Sequence, residues 1–354
     1  KTCIAIFKAI DIINPRRAPP SQENLFYMIV KSNLLKRDYS VMAVNVQLKA
    51  AGFVSLLIAG IPANILLMLS FARIAFSGKK LLPANVIRMS LSVANLFVLL
   101  SRVVPHALYF IGLKNLLNDQ QCKLFIFVFR VSRAMSICIT SFLSCHQCII
   151  IAPATGKWKY LKQMVSCYVL IIIALFLAMN MAIYHSGILY GRATTNETLS
   201  PYTLHLSYCD VAFLNYATYI INGLLSAVRE IIFVGLMTLS SIYMVYILFC
   251  HGKSMKGMRS SDKGQSKTIE YKASRAVILL VTMYMALFGM DNSMWIYTLT
   301  MSNVDPDVSD TRLFLAASFA VLSPIHIFSS KKRTIDIHTI ITNENRSKNL
   351  FNAV

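Results

Sequence analysis

The chain is 354 residues long, and 56% of these residues are hydrophobic while only 14% are charged. A soluble domain carries about 25% charged residues, so much of the surface of this chain must face something other than water. Lys and Arg outnumber Asp and Glu by 35 to 15, but they fall in short clusters between long apolar runs. A nucleic-acid-binding protein would instead group its cations on one face of soluble elements. The pattern is typical of a membrane protein with basic loops and indicates no nucleic-acid partner.

Seven apolar runs are long enough to cross a bilayer as helices, which takes about 20 residues each. Buried helices of a soluble protein are usually shorter and show a polar stripe, which argues against that alternative. We therefore predict an all-α membrane protein with a seven-transmembrane helix bundle. In chain order, the predicted spans are Gly52–Ala72, Met89–Ile111, Leu124–Ala152, Met164–Tyr184, Ile231–Cys250, Ala276–Met301 and Leu313–Ser330.

The connections between these spans differ in their content of Lys and Arg. The connections after the first, third and fifth spans and the tail after the seventh contain nineteen such residues, and the other connections contain five. Because cytoplasmic loops are enriched in Lys and Arg, the N-terminus is predicted to lie outside and the C-terminus in the cytoplasm. We expect the bundle to occupy residues 42–330 and a basic cytoplasmic tail to occupy residues 331–354.

Residues 1–41 fit this topology poorly, because they are basic although the N-terminus is predicted to lie outside. Charges interrupt every apolar stretch in this segment, so it lacks the layout of a signal peptide. Met42 lies ten residues before the first predicted span, where a short outer tail would begin. We interpret residues 1–41 as a doubtful extension, produced by upstream translation or by an error in the gene model. A genuine but disordered tail is the alternative.

Two of the eight cysteines lie at the outer side of the predicted bundle. Cys122 precedes the third span and Cys209 lies in the long connection before the fifth, on the oxidising side where a disulfide can persist. We predict a bridge between them, with two free thiols as the alternative. In the same connection, Asn196 begins a glycosylation sequon and is predicted to carry a glycan. The sequon at Asn345 lies in the cytoplasmic tail and is predicted to stay unmodified.

The chain contains no Gly-rich phosphate loop, no nucleophile elbow and no paired-His metal motif. Cys145 and Cys148 form a lone Cys-x-x-Cys pair inside the third span, and no further ligands that a metal would need are apparent nearby. We therefore predict neither an enzyme nor a cofactor. A membrane transporter is the alternative from another class, but the chain shows no internal repeat of the kind that transporters tend to have. A channel would require a polar pore stripe, and none is visible.

Charged residues inside the predicted spans are the strongest candidates for function, because such residues are costly and are usually functional or paired. Arg130 and Arg133 lie three residues apart on roughly one helix face. One interpretation is an outer pocket with cationic walls for a small organic ligand that carries an acid, sulfate or polar head. The other is a structural ion pair between one of these arginines and an acidic residue of the fifth or sixth span. The candidate ligand contacts are Arg102, Arg130, Arg133, Glu230, Asp291 and Trp295, with a lipid-facing position as the alternative for the tryptophan.

The local sequence resembles the vomeronasal type 1 receptor family, including its fish and amphibian relatives, in the order and spacing of several short segments. The likeness runs from about residue 42 to residue 330. The segments are LSVAN (91–95), LLSRVVP (99–105), GLKN (112–115), CKL (122–124), RVSRAMSI (130–137), LSCHQC (143–148), IAP (151–153), KW (157–158), SRA (274–276) and SP (323–324).

The chain differs from rhodopsin-like receptors generally and is similar to the vomeronasal group in doing so. His146, Gln147 and Cys148 stand where rhodopsin-like receptors have an acidic-Arg-aromatic triplet, and Asn95 stands where they have a buried Asp. Bitter taste type 2 receptors are the nearest alternative family. They share the Leu-x-x-Ser-Arg pattern of the second span but lack the cysteine pair.

The resemblance implies a chemosensory, pheromone-type G-protein-coupled receptor in the plasma membrane of a sensory neuron. Its expected partners are a small-molecule chemosignal, a heterotrimeric G protein of the inhibitory type, and membrane lipids. Basic inner loops are suited to contact acidic phospholipids or a G protein. The candidate residues on the G-protein side are His146, Gln147, Lys157 and Arg275.

Overall fold

The structure is a computed structural model, and it describes residues 22–78, 81–113, 117–152, 157–185, 191–193, 203–206, 209–212, 215–255, 278–294, 308 and 310–329. Helices dominate the described residues. In chain order they are α1 (Gln22–Phe76), α2 (Pro83–Val98), α3 (Val104–Ile111), α4 (Asp119–Ile151), α5 (Lys157–Cys167), α6 (Val169–Tyr184), α7 (Tyr216–Met255), α8 (Ile278–Met294) and α9 (Asp310–Ser329).

Among these residues, five helical segments are long and apolar enough to cross a membrane, or six if α5 and α6 count as one bent span. The five are Val46–Phe76, Pro83–Ile111, Asp119–Ile151, Ile220–Ile247 and Asp310–Ser329. Helix α8 is a shorter apolar helix at the place of the sixth predicted span, whose remaining residues lie outside the described ranges. The helical membrane architecture is thus confirmed, whereas the count of seven spans and the orientation of the termini stay predictions.

The fourth predicted span, Met164–Tyr184, is not one straight helix. The chain bends by 68° between the segment Trp158–Cys167 and the segment Val169–Tyr184, with Tyr168 at the break. The composition explains the difference, because α5 contains three lysines whereas α6 contains no charged residue. The prediction of a continuous span was wrong in its first turn, and the apolar span proper begins at Val169.

The second predicted span contains a π-helical turn, Leu99–Val103, between α2 and α3. Pro105 lies two residues after the end of this turn. A proline inside a helix removes one backbone donor and collides with the carbonyl four residues earlier. A wider π turn before the proline relieves that collision, and such turns are frequent at functional positions. Arg102 lies in this turn and is buried.

Helix α4 is the central helix of the bundle, because its residues between Val131 and Gln147 are buried on nearly every side. A helix that is apolar and buried all round lies inside a bundle rather than at its surface. Around it, α1 closely approaches both the π-helical turn and α9: a Cβ atom on Gly60 would lie 2.7 Å from a methyl carbon of Leu99 and 2.8 Å from one of Val321. Glycine at this position therefore sets the distance between the helices.

The outward faces of the helices carry large apolar side chains, as a lipid-facing surface requires. Ile58, Leu170, Leu239 and Phe249 are examples, each with most of its side chain exposed. In a soluble protein so many exposed apolar residues would cause aggregation. The arrangement is that of a multi-pass membrane protein.

A short antiparallel sheet departs from the purely helical fold that the sequence predicted. Its strands are β1 (Gly191–Ala193), β2 (Thr203–Leu206) and β3 (Cys209–Ala212), in the order β1-β3-β2. Gly191 pairs with Val211, and Leu206 pairs with Cys209. The strands are too short to stand out by apolar alternation in the sequence.

The chain divides into two compact units between Ala51 and Gly52. The described part of the first unit consists of residues 22–51, which are helical and belong to α1. This helix begins before Met42, at Gln22. The interpretation of residues 1–41 as an artefact stays a prediction.

Candidate functional site

The predicted disulfide is present: the Sγ atoms of Cys122 and Cys209 are bonded, with their Cα atoms 5.9 Å apart. Both residues are fully buried. Cys122 lies in the first turn of α4, which begins with a capping box formed by Asn118 and Gln121. The bond ties β3, and with it the sheet, to the start of the central helix. We call this end of the bundle the disulfide end.

A three-residue charged cluster lies about 16 Å along α4 from Cys122, at 1.5 Å per residue. Arg133 of α4 donates from Nη2 to Oδ2 of Asp291 on α8 at 2.6 Å. Arg312, in the first turn of α9, donates from Nε to Oδ1 of the same carboxylate at 3.2 Å. Asp291 is almost completely buried. One carboxylate thus links three helices through two charge-assisted hydrogen bonds.

Glu230 pairs with a different arginine from those considered in the sequence analysis. Its Oε1 accepts a hydrogen bond from Arg229 at 2.9 Å, and not from Arg130 or Arg133. The ion-pair interpretation is therefore supported by Asp291 and not by Glu230.

Arg229 is buried and also donates to the amide oxygen of Asn180 at 3.2 Å and to the hydroxyl of Tyr184 at 2.9 Å. Its guanidinium lies over the Tyr184 ring, with 5.4 Å from Cζ to the ring centroid. These contacts link α7 to α6. Arg229 was missed in the sequence, although its place beside Glu230 at the edge of an apolar run was a signal of buried pairing.

The other two candidate arginines make different contacts. Arg130 donates to the amide oxygen of Asn222 on α7 at 3.4 Å. The guanidinium of Arg102 lies over the ring of Phe129, 5.5 Å from the centroid. Arg130 and Arg133 were expected to face the same pocket, but one reaches α7 and the other α8. An α-helix has 3.6 residues per turn, so two residues three apart differ in direction by about one sixth of a turn. Arg130 and Arg133 therefore point towards different neighbouring helices.

A second buried pair near the same end was also missed. Nε2 of His106 on α3 lies 3.1 Å from Oδ1 of Asp310, the first residue of α9. The rings of Phe53 and Phe110 pack edge-on against the imidazole at 4.6 and 5.0 Å. His106 lies within an apolar run and Asp310 just before one, so neither stood out by pattern.

A cavity lies beside the Arg133–Asp291 pair. Its volume is about 30 Å³, which is room for a water molecule, whereas small-molecule pockets measure about 300–1,000 Å³. An organic ligand can therefore enter only if side chains move. Arg102, Arg130 and Glu230 are not among the lining residues, which are Asn95, Val98, Arg133, Ser136, Ile137, Tyr284, Leu287, Phe288, Asp291, Leu315, Ala316, Phe319 and Ala320.

The floor of this cavity is a neutral hydrogen-bond network. Ser136 of α4 donates to Oδ1 of Asn95 at 2.8 Å, and Nδ2 of Asn95 donates to Ser323 of α9 at 2.7 Å. Asn64 of α1 donates to the carbonyl oxygen of Ala320 at 2.9 Å. The network joins four helices without a formal charge, which is consistent with the departure from a buried Asp noted in the sequence.

The end of α4 opposite the disulfide carries two of the predicted G-protein-side residues. His146 and Gln147 are buried, and neither ring nitrogen of His146 has a hydrogen-bond partner among the described residues. Lys157 is the first residue of α5, but its side chain is not described. Arg275, Trp295 and the sequon at Asn196 lie outside the described residues. Within the described ranges no group of three His, Cys, Asp or Glu side chains is placed to hold a metal ion.

Comparison with known proteins identifies the family. The family model of the vomeronasal organ pheromone receptors matches residues 47–340. Olfactory receptor class A-like protein 1 of Danio rerio is 36% identical over 293 residues, which are 82% of this chain and 92% of that protein.

Mammalian relatives match at lower identity. Vomeronasal type-1 receptor 48 of Mus musculus is 28% identical over 251 residues, covering 70% of this chain and 81% of that receptor. Vomeronasal type-1 receptor 3 of Homo sapiens is 25% identical over 291 residues, which cover 79% of this chain and 89% of that receptor. The resemblance read from the short segments is thereby confirmed. The chain belongs to the vomeronasal organ pheromone receptor family, a family of chemosensory G-protein-coupled receptors that are multi-pass membrane proteins.

Proposed function

We propose that this chain binds a small organic chemosignal in the outer half of a seven-helix bundle and then activates a heterotrimeric G protein at the inner face. Seven helical spans result if α5 and α6 count as one span and α8 as another. The excess of Lys and Arg in the connections at the opposite end supports an outward-facing disulfide end.

The Arg133–Asp291 pair beside the cavity is the observation that carries the proposal. In a low-dielectric site an arginine prefers a partner that offers a negative charge or strong acceptors. A ligand with an acid, sulfate or polar head can compete with Asp291 for Arg312, the more distant of its two cationic partners. Because the carboxylate links α4, α8 and α9, such competition loosens contacts between helices. Ligand binding is then coupled to helix movement through differential affinity for the two arrangements.

At the inner end, burial of the His146 imidazole indicates a closed inner face. Both of its ring nitrogens lack a hydrogen-bond partner among the described residues, and this cost of the closed arrangement favours exposure of the ring. Opening of the inner face would expose His146 and Gln147 to a G protein, with Lys157 and Arg275 in the flanking inner loops. The inhibitory type of G protein and the contact of basic loops with acidic lipids follow from the resemblance and from the charge of these loops.

The test is expression of the full chain, and of the chain begun at Met42, in cells with a G-protein readout. A panel of volatile and steroid-like compounds is applied with and without a toxin that inactivates inhibitory G proteins. We expect at least one compound to activate the native receptor, the toxin to abolish that response, and Arg133→Ala to weaken it at matched surface level. If the receptor reaches the surface and activates no G protein with any compound, the proposal fails.

A further inference from the structure

Arg312 has hydrogen-bonding capacity that its contact with Asp291 does not use. It reaches the carboxylate only through Nε, at 3.2 Å, and its two terminal nitrogens have no hydrogen-bond partner among the described residues. These nitrogens form one of the two edges with which a guanidinium binds an anion in a bidentate manner. The side chain of Arg312 is 31% exposed, whereas that of Asp291 is 7% exposed. The unused edge is therefore accessible.

The cluster around Asp291 has more positive than negative charge. Two guanidinium groups share one carboxylate, which leaves one positive charge without a counterion among the described residues. Glu230 does not change this balance, because Arg229, with which it forms a hydrogen bond, adds a further cation. An unbalanced charge at this depth is costly unless water or an anion compensates it.

Arg312 rather than Arg133 is in the position to receive an anion from outside. Arg133 is bound through a terminal nitrogen at 2.6 Å, the shorter of the two bonds to the carboxylate. Arg312 lies one helical turn before Leu315 and Ala316, which line the cavity. It therefore lies at the rim of the cavity on the side of the disulfide end, where a ligand entering from that end arrives first.

We propose that Arg312 binds the anionic group of the ligand through its two terminal nitrogens, while Arg133 and Asp291 remain paired as the tie between α4 and α8. The ligand class is a small organic carboxylate or sulfate whose apolar part extends into the widened cavity. This inference rests on the proposed function in its outward orientation and ligand site, but binding of an anion can be measured without any G protein.

The test measures ligand affinity on the purified full chain, through the shift of its thermal unfolding midpoint. The probes are hexanoate and benzoate, their neutral amides hexanamide and benzamide, and inorganic sulfate at matched ionic strength. We expect the organic acids, and not the amides, to raise the midpoint of the native receptor. Arg312→Gln should weaken the acids about 10- to 100-fold, as expected for the loss of a charge-assisted contact.

Arg312→Lys keeps the charge but loses the bidentate edge, so its affinity should lie between those of the native receptor and Arg312→Gln. This variant also serves if Arg312→Gln fails to fold. Arg73→Gln is the matched control, because Arg73 is an arginine in the last turn of α1, far from the cavity. It should bind the acids as the native receptor does.

Three results would overturn the inference: equal shifts with acids and amides, unchanged acid affinity in Arg312→Gln, or no shift with any probe. A shift with inorganic sulfate alone would also count against it, because the apolar part would then play no role. Failure of the proposed function looks different. In that case the acids bind the purified chain in an Arg312-dependent manner, but no compound elicits a G-protein response in cells.

Discussion

The helices are held together by different chemistry at two neighbouring levels of the bundle. At the level of Arg133, charged groups make the contacts, with Asp291 shared between two arginines. One turn further from the disulfide, at Ser136, the contacts are neutral hydrogen bonds through Asn95 to Ser323. Charge is costly in the middle of a bilayer, and the cost falls towards the surface. In the proposed function, the charged level at Arg133 exchanges partners with a ligand, and the neutral level at Ser136 does not.

The same division occurs between α7 and its neighbours. Near the disulfide end, Arg229 and Glu230 make charged contacts that reach α6. Further along, Ser144 of α4 and Ser240 of α7 share a hydrogen bond of 3.0 Å between their hydroxyls. Neutral hydrogen bonds between membrane helices are worth only about 0.6 kcal/mol on average. They fix the register of two helices without making separation difficult.

The largest effect is expected from removing the shared carboxylate. Asp291→Asn leaves the partly exposed guanidinium groups of Arg133 and Arg312 without their shared carboxylate. Breaking a fully buried pair costs about 3–5 kcal/mol, which is the upper limit here. Arg133→Ala should cost less, about 1.5–3 kcal/mol, because Asp291 keeps Arg312 as its partner. Surface level, scored by an external epitope tag, and the unfolding midpoint of purified receptor measure both changes.

The double variant Arg133→Ala with Asp291→Asn is the control for this ranking. It leaves one uncompensated cation instead of two, so it should recover part of the surface level lost in Asp291→Asn. A lower surface level for Arg133→Ala than for Asp291→Asn would show that the carboxylate is not the shared partner. Glu230→Gln should not rescue Arg133→Ala, because Glu230 pairs with Arg229.

The disulfide is expected to have the next largest effect. Cys122→Ser and Cys209→Ser should each reduce surface delivery, since loss of a native disulfide costs about 2–5 kcal/mol. The double variant should be no worse than either single variant, because both remove the same bond. Loss of the disulfide is not expected to change the hydrogen bonds of Asn95 with Ser136 and Ser323. Adding Asn95→Ala to a cysteine variant should therefore cause a further, independent loss of stability. Additive losses in the double cysteine variant would mean that the two sulfurs are not partners.

A smaller effect is expected at the neutral level. Asn95→Ala removes two buried hydrogen bonds and leaves Ser136 and Ser323 without their shared partner, at a cost of about 1–3 kcal/mol. Ser92→Ala on the same helix is the matched control, because its hydroxyl bonds to a carbonyl within α2. Thermal unfolding measures both. Asn95→Ala should still bind organic acids more tightly than their neutral amides. Loss of that preference would show that the charged level at Arg133 depends on the neutral level at Ser136.

The helices and the disulfide could be predicted from the sequence because each depends on local composition or on the side of the membrane. An uncharged run such as Gly52–Ala72 has to be a span, whatever it packs against. The bend at Tyr168 could not be read in this way. The bend lies where the basic helix α5 meets the apolar helix α6. The lengths of two consecutive segments in the sequence do not reveal the angle between the helices that they form.

The partners of the charged residues could not be predicted, because pairing depends on helix rotation and depth. Glu230 was available to Arg130, Arg133 or Arg229, and the structure places it with the arginine beside it in the chain. Arg312 was counted as a loop residue, since it precedes the apolar run of the last span. Only the bundle shows that this first turn of α9 reaches the carboxylate of Asp291.

The smallest effect on stability is expected from removing the glycan. The position of the glycan nevertheless decides whether the charged level at Arg133 or the neutral level at Ser136 lies nearer the outside. The sequon at Asn196 lies between β1 and β2 in sequence, in the segment tied to α4 by the disulfide. If the disulfide end is outside, Asn196 meets the glycosylation machinery during synthesis, and glycosidase should shift the mobility of the receptor on a gel. Asn196→Gln should abolish the shift, whereas Asn345→Gln should not. Stability should change little, since surface substitutions outside special sites stay within about 0.5 kcal/mol. A shift that depends on Asn345 instead would invert the bundle and place the charged level near the cytoplasm, where no external chemosignal could reach Arg133 or Arg312.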